Sequence, residues 1–496
     1  MTPRILLVDL NNFARYPTLA IGYLAAVLRQ AEMDVKVFSP LMLGIKGITR
    51  EKRPGRLGAL KAQLNYKLAS SNNAWIRQIR NTVTRRRHSE ITEHHSKIVR
   101  EFELFTRIHR PQVVMISTYL MYYELCAEIC KFCQSNGIKV VIGGAYFTQP
   151  EVYDAWVKLP GLSGLIAGEL ELEAPALVRT LMSNGDMALH DGVLVWRDGN
   201  VQGRVARPFK LLDKVPFPDF SDFPWDLYPN RIIPIITGRG CQWGACTFCS
   251  DVVSTAGRTY RSRSTANVLA EVQAQYQTYH ARQFVFTDLK LNSNPQLWRA
   301  LIDQMQSIAP GSTWIASVHV GKESDNGLDH DTLKKAAVSG CVRLTTGLES
   351  GSQRVLDRMK KGTQLNTVSQ FLNDASAAGI SCRATMITGY PYETDADIDA
   401  SRKFLDAHIH CIERVMFNRL VLIPGTPLVK ALKKQPERFD DFTIVRENGK
   451  MAQIDHTVKM RHNNSHQKAM QHILRTVNAI NNRALLPLAR DFEGVM

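Results

Sequence analysis

Three cysteines, Cys241, Cys246 and Cys249, fall within nine residues of one Gly-containing stretch, Gly238 to Cys249. An apolar run, Ile232 to Ile236, precedes it and reads as a buried strand. No other feature constrains the chain as much, because three thiolates so close together belong around one metal centre. Soft sulfur ligands favour zinc, copper or iron–sulfur clusters. A structural zinc site takes four ligands, but the next cysteine along the chain is Cys341. Iron–sulfur clusters more often use four Cys, so the missing fourth is informative. Three thiolates on one loop suit a 4Fe–4S cluster with one iron left open to a substrate or cofactor. The plain alternative is that the thiols are small buried hydrophobes, which fits this density on a loop poorly.

A rival triplet lies upstream. Cys126, Cys130 and Cys133 have spacings of four and three, with Phe132 beside the last. Those spacings describe one face of a helix, and no Gly bends the chain around them. They read as core packing, as does Cys341.

The N-terminal third alternates strand and helix. Ile5–Val8, Val35–Phe38, Val113–Ser117, Val140–Ile142 and Leu165–Ala167 read as strands. Helical patterns run over Ala20–Gln30, Leu120–Gln134 and Leu170–Met182. This alternation predicts an α/β fold with a doubly wound parallel sheet. Ligands of such sheets sit at the carboxyl ends of the strands. Ser117, Thr118, Gly143, Gly144, Gly168 and Glu169 occupy those ends. Gly allows close backbone approach to a large ligand, and Ser or Thr can hydrogen-bond it. A Gly-Gly turn that binds nothing is the alternative.

Residues 44–110 interrupt the alternation. Leu60, Leu64 and Leu68 recur at helical spacing, as do Ile91, Ile98, Phe102 and Phe105, with Arg85-Arg86-Arg87 between the two sets. The chain carries a formal net charge of +16. From Lys46 to Arg110 there are 16 Lys or Arg against 5 Asp or Glu, a net of +11. The insert therefore reads as helical with a basic face, suited to an anionic partner or a membrane surface. A solvated face is the equally plain alternative. His94-His95 reads as a surface pair.

A cluster of prolines (Pro208, Pro216, Pro218, Pro224, Pro229) marks residues 206–230 as a linker. Alternation then resumes. Strands are expected at Ile232–Thr237, Phe284–Thr287, Thr313–Ser317, Val342–Thr346, Cys382–Ile387 and Val415–Leu422. Six strand–helix units predict a partial βα barrel over residues 231–430, with chemistry at the carboxyl ends of its strands. The cysteine loop, Asp288, Glu349 and Gly389 lie at such ends. Residues 431–496 are expected to form a helical extension, with a helix over Gln467–Leu486. The first domain spans residues 1–205, around the 44–110 insert.

These residues resemble the radical S-adenosylmethionine (SAM) superfamily. Its usual loop is Cys-x3-Cys-x2-Cys with an aromatic beside the last Cys, matched by Phe248. The first gap here is one residue longer, similar to the branch that modifies ribosomal peptides. Tyr260-Arg261-Ser262-Arg263-Ser264, Gly347-Leu348-Glu349-Ser350 and Thr388-Gly389-Tyr390-Pro391-Tyr392-Glu393-Thr394 are similar to further motifs of that superfamily. The N-terminal third resembles the cobalamin-binding domain that precedes one large radical SAM class. The support is Tyr16 to Ala26, the interval from Ser117 to Gly143, and Gly168-Glu169-Leu170-Glu171. The Asp-x-His-x-x-Gly motif that supplies an axial His is absent.

The resemblance implies that Cys241, Cys246 and Cys249 hold a 4Fe–4S cluster whose open iron chelates SAM. It places Glu349 and Ser350 at SAM's polar end, Gly389 near its adenine, and an acidic cofactor neighbour at Asp288. It further implies cobalamin, C-methylation of an unactivated carbon in a peptide, small molecule or lipid, and a reductant such as flavodoxin or ferredoxin. Ring-forming chemistry of the same class, or a non-catalytic cobalamin or iron–sulfur sensor, are the alternatives. Nothing points to specific nucleic-acid binding. Nine cysteines, an odd number with three on one loop, argue against a disulfide framework. With no secretory signal and no long apolar run, the expected location is cytoplasmic, with peripheral membrane contact through the insert as an option.

Overall fold

The computed structural model describes residues 2–11, 15–45, 53–55, 57–70, 75, 94–249, 260–321, 326–459 and 463–495. Arg85-Arg86-Arg87 lies outside them. The first sheet begins with β1 (Arg4–Leu10), α1 (Leu19–Gln30) and β2 (Asp34–Phe38). The basic insert contributes α2 (Gly58–Ser70) and α3 (residues 94–109). β3 (Val113–Thr118), α4 (Tyr123–Ser135), β4 (Lys139–Gly143), α5 (Pro150–Trp156), β5 (Gly164–Ile166) and α6 (Ala174–Met182) follow. The order β2-β1-β3-β4-β5 is parallel throughout, as the alternation predicts.

The hairpin β6 (Val193–Arg197) and β7 (Asn200–Gly203) then adds two antiparallel strands, which the sequence reading omitted. Its turn is Asp198-Gly199, both at positive φ, the Asp-Gly signal of a tight hairpin. Cys126, Cys130 and Cys133 lie on α4, fully buried, and burial pushes all three thiols up. They are core, as their spacing indicates. Phe102 of α3 packs edge-on against Phe38 and seats the insert on the sheet.

The Pro-rich stretch is a packed strap between the two halves. Phe220 is fully buried, and Arg29 of α1 pairs with both Asp219 and Asp222. The second sheet starts with β8 (Ile232–Ile235), flanked by the short pair β9 (Gly238–Arg239) and β10 (Arg261–Ser262). It continues through α7 (Thr265–Tyr279), β11 (Gln283–Phe286), α8 (Pro295–Ile308), β12 (Thr313–Val318), α9 (His330–Val338) and β13 (Cys341–Glu349). α10 (Gln353–Arg358), α11 (Leu365–Ala377), β14 (Ser381–Thr388), α12 (Asp395–Ala407) and β15 (Ile412–Arg419) complete it.

All six strands of this sheet are parallel, in the order β15-β14-β13-β12-β11-β8. Helix starts are written in the sequence. Ser264 caps α7, Asn294-Pro295 opens α8, and Thr394 with Asp397 forms a capping box on α12. Pro234 sits within β8, which is an edge strand, where a missing N–H is tolerated.

The tail departs from the helical expectation. After α13 (Pro427–Lys434) comes a second hairpin, β16 (Phe442–Asn448) with β17 (Gln453–Val458). Few of its residues are buried, so its alternation was masked by polar composition. Helix α14 (Asn464–Asn482) is present and covers the open edge of the barrel sheet. Asn481 there accepts from Val415 N at 2.7 Å and donates to Val415 O at 2.9 Å, which protects the edge strand.

The last residues close the amino-terminal end of the barrel. Phe492 and Val495 pack with Ile232, Val285, Ile315 and Val342. Buried Arg343 donates to Phe492 O and Ala489 O, both at 3.0 Å, and Arg383 donates to Val495 O. A six-stranded open barrel cannot fill its own interior, and this segment supplies the missing layer. Phe492→Ala is therefore expected to lower unfolding stability by about 3–5 kcal/mol, the usual cost of a buried Phe truncation. Denaturant unfolding under argon checks this, and a loss near zero would remove the segment from the core.

Candidate functional site

The cysteine loop is held by a ladder and by its neighbours. Arg239 of β9 pairs with Arg261 of β10, so both ends of the loop are fixed side by side. Inside the loop, Thr247 N donates to Met359 O at 3.0 Å, and its hydroxyl meets Tyr390 Oη at 2.7 Å. Phe248 packs in the group formed by Val355, Met359 and Tyr390. Trp243 Nε1 donates to Lys360 O at 2.8 Å. A Cβ at Gly362 would lie 2.3 Å from the Trp243 ring, so only Gly admits the indole there. The longer first gap of the motif thus contains an anchored Trp.

Cys241, Cys246 and Cys249 are half-buried. Among the described residues, no three metal-ligating side chains meet around a single ion. A cubane cluster is bound through separate irons, so its thiolates need not converge on one point. The donor set fits such a cluster in a second respect. Lys361 carries a buried ammonium that interacts with Cys246 and Cys249 and sits 3.1 Å from Glu349. Burial works to lower its pKa, but Glu349 and the two sulfurs outweigh burial and raise it. Burial pushes Cys246 up, while Lys361 pulls it down. Burial dominates at Cys246, and the fixed positive charge of Lys361 beside the thiols offsets part of it.

The strand ends place the other expected residues differently. Asp288 is buried and accepts from Thr237 N, Thr237 Oγ1 and Gly238 N at 2.8–3.1 Å. It fixes the turn out of β8 rather than offering free oxygens. Glu349 lies at the end of β13 in a left-handed conformation (φ 60°) and faces Lys361. Ser350 turns inward, 1% exposed, against Ser401 Oγ and Ser352 N. It braces the turn. Gly389 donates its N–H to Glu393 at 2.5 Å.

His319, after β12, was not singled out in the sequence. Its ring stacks on Trp243 with centroids 6.1 Å apart, and its buried Nε2 has no hydrogen-bond partner among the described residues. Burial, with Lys361 and Lys290, pushes its pKa down to about 3, so the imidazole is neutral. Lys361 lies in the run Met359-Lys360-Lys361-Gly362, twelve residues beyond Glu349. The signal was present, but the spacing did not reveal the pairing across the turn.

A cavity of about 590 Å³ lies between the two sheets. Ser117, Thr118, Gly143, Gly144, Gly168 and Glu169 line it, as their strand-end positions predict, and Ile236, Arg239 and Thr287 line it from the barrel side. Asn11 Nδ2 donates to Ser117 Oγ at 2.5 Å. Glu169 forms part of the wall, but protein groups take its oxygens. It pairs with Arg261 at 2.8 Å and accepts Phe209 N at 3.0 Å. Burial opposes the charged form, yet Arg261 and Arg239 hold Glu169 below the usual carboxylate range. No His or Cys is among the described lining residues. The space fits a large, mostly apolar ligand with polar edges that receives no imidazole from the protein. No described helix is long and apolar enough to cross a membrane.

Residues 235–405 match the model of the Radical SAM superfamily. An uncharacterized methyltransferase of Pyrococcus horikoshii is 26% identical over 381 residues, covering 75% of this chain and 78% of that protein. A bacteriochlorophyllide d C-12(1)-methyltransferase of Chlorobaculum tepidum is 26% identical over 48% of this chain, and the match spans about half (53%) of that protein. Among solved structures, the cobalamin-dependent SAM radical enzyme OxsB, with aqua-cobalamin and SAM bound, superposes with a TM-score of 0.68 at 14% identity. That match covers 92% of this chain and 64% of OxsB. The methyltransferase TsrM from Kitasatospora setae, with cobalamin and a [4Fe-4S] cluster bound, gives 0.64 at 15% identity over 95% and 84% of the two chains. At these identities the likeness to the solved structures is one of fold.

The site carries a pH signature. Burial pushes the carboxyls of Asp288 and Asp9 up to about 6. In the unfolded chain an Asp titrates near ~3.9, so the native state holds each proton longer. The stability this provides is complete below about pH 4 and is lost as pH rises to about 6, by roughly 3 kcal/mol per group. Asp288→Asn is expected to remove one such share from the fall. Denaturant unfolding of the metal-free chain between pH 4 and 7 checks it, and an unchanged slope would show that Asp288 titrates normally.

Proposed function

Because residues 235–405 form a radical SAM domain, placed behind a parallel α/β sheet, we propose that the chain is a cobalamin-using enzyme that methylates an unactivated carbon. One observation carries this reading. The cavity at the carboxyl ends of β1, β3, β4 and β5 opens onto the barrel's own strand ends through Ile236, Arg239 and Thr287. A corrinoid held there would be bounded by Arg239, just ahead of the cysteine loop. The methyltransferase names of the relatives point the same way.

Cys241, Cys246 and Cys249 would hold the 4Fe–4S cluster. When bound, the cluster supplies one electron to cleave SAM to a 5′-deoxyadenosyl radical, and cobalamin supplies a transferable methyl group. The remaining work falls to this chain's side chains. Lys361 offers a buried cation to the carboxylate of SAM, and Glu349 an acceptor to its ammonium. The Gly389 turn would border the adenine of a bound SAM. Trp243, locked over Gly362, keeps the loop from relaxing around the cluster. Neutral His319 presents an unpartnered Nε2 to a substrate polar group, as donor or acceptor according to the ring's tautomer. Ser117, Asn11 and Thr118 supply polar contacts along the rim of the corrinoid cavity. No His is among the described lining residues that would hold the corrinoid.

A radical SAM enzyme needs a reductant and a substrate. A flavodoxin or ferredoxin fits the first role, and a peptide, metabolite or lipid the second. A cytoplasmic location suits an oxygen-sensitive cluster.

Protein purified without oxygen from a cobalamin-supplied host is expected to hold about four irons, the content of one 4Fe–4S cluster, and one corrinoid per chain. It should form 5′-deoxyadenosine only with a reductant. Cys246→Ala should lose both the iron and this activity. An iron-replete, active Cys246→Ala chain would sink the cluster assignment, and iron without cobalt would sink the cobalamin assignment alone.

A further inference from the structure

The pole of the first sheet opposite the cofactor cavity holds a second recess, of about 720 Å³. It forms where β1, β3 and β4 begin and where α3, α4 and α6 end. Each of those helices finishes there in a left-handed residue: Arg110 (φ 45°), Gly137 (φ 67°) and Asn184 (φ 54°). Gly and Asn are the residues that adopt this conformation readily at a helix end. Arg does so only against the steric clash of its Cβ. Arg110 N closes the turn on Thr106 O at 2.8 Å, and Pro111 follows. The backbone calls for glycine, and the chain keeps a long cation instead.

The charge is one-sided. Arg4, Arg107, Arg110 and Lys139 line the recess, and no Asp or Glu does. Glu103, one turn before Arg107, and Asp34, the strand partner of Arg4, form no ion pair with them among the described residues. Neutralising the helix ends does not account for four cations. Each carbonyl end is worth roughly half a negative charge, so three ends leave about two and a half positive charges over. Arg4 uses Nε on Arg110 O at 2.8 Å. Arg4 and Lys139 form a half-buried floor, and Arg107 and Arg110 an exposed rim. Gln112 accepts Arg4 N through Oε1 at 3.1 Å, so its amide N–H2 remains a donor.

We propose that this recess binds a phosphate-bearing anion of two or more negative charges, a phosphate monoester or a diphosphate. Guanidinium forks match phosphate oxygens in pairs, and Lys adds a point charge. The volume is that of a small-molecule pocket, which favours a small anion or a single head group over a protein or nucleic-acid surface. The site is independent of the radical chemistry at the other pole.

The test titrates the full-length protein with inorganic pyrophosphate by calorimetry. Saturable binding of one pyrophosphate per chain is expected. Arg110→Gly should weaken it at least tenfold while leaving Tm unchanged or higher, because glycine suits the left-handed position. Arg107→Ala with Lys139→Ala should abolish it, with reductant-dependent SAM cleavage intact. Vesicles containing phosphatidic acid identify the source. If wild type pellets with them and Arg110→Gly does not, the phosphate belongs to a lipid head group. If pyrophosphate binds without pelleting, the ligand is soluble. Absence of saturable heat, or an Arg110→Gly chain that titrates like wild type, overturns the proposal. Competition by polyglutamate as strong as by pyrophosphate overturns the phosphate assignment in favour of an acidic peptide.

Discussion

Two carboxylates just beyond β5 grip the two arginines of the β9–β10 ladder. Glu169 pairs with Arg261 and Arg239, and Glu171 pairs with Arg239 at 2.7 Å. Those arginines face each other across the ladder from which the cysteine loop emerges. The side chains are mostly buried, so screening by salt is weak and the pairing is worth more than a surface contact. Removing one partner would leave a buried charge uncompensated. This clamp sets where the loop starts, where it ends, and how far the large cavity lies from it.

Around that anchor the site is assembled from rigid parts. Asp288 ties the turn out of β8, Thr247 is bonded to the Met359 carbonyl, and Trp243 is held over Gly362. Lys361 and Glu349 form an ion pair within this frame. The other end of the barrel is closed by the chain terminus under buried arginines. The barrel thus has one closed end and one end facing the other sheet, and ligands are directed to the latter.

Two hairpins show where sequence reading loses information. The Asp198-Gly199 turn carried a local signal for β6 and β7 that the search for helix–strand alternation passed over. β16 and β17 expose one face and only half-bury much of the other, so polarity hid their period. In the site, Ser350 and Asp288 stand where motif position suggests a ligand contact, yet their polar atoms are taken by neighbouring backbone and hydroxyl groups. A motif gives position along the chain, while a side chain's direction depends on what packs beside it.

The sequence by itself determined the parallel strands of the two sheets, their order along the chain, the helical character of the Cys126 triplet and the strand ends that line the large cavity. These follow from local periodicity and from where Gly interrupts it, both of which act over a few residues. Only the tertiary structure decided the clamp between the sheets, the pairing of Lys361 with Glu349, the stacking of Trp243 on His319, and the plug of Phe492. Each joins groups distant along the chain, and nothing in a local pattern specifies a contact that exists only after two elements have packed.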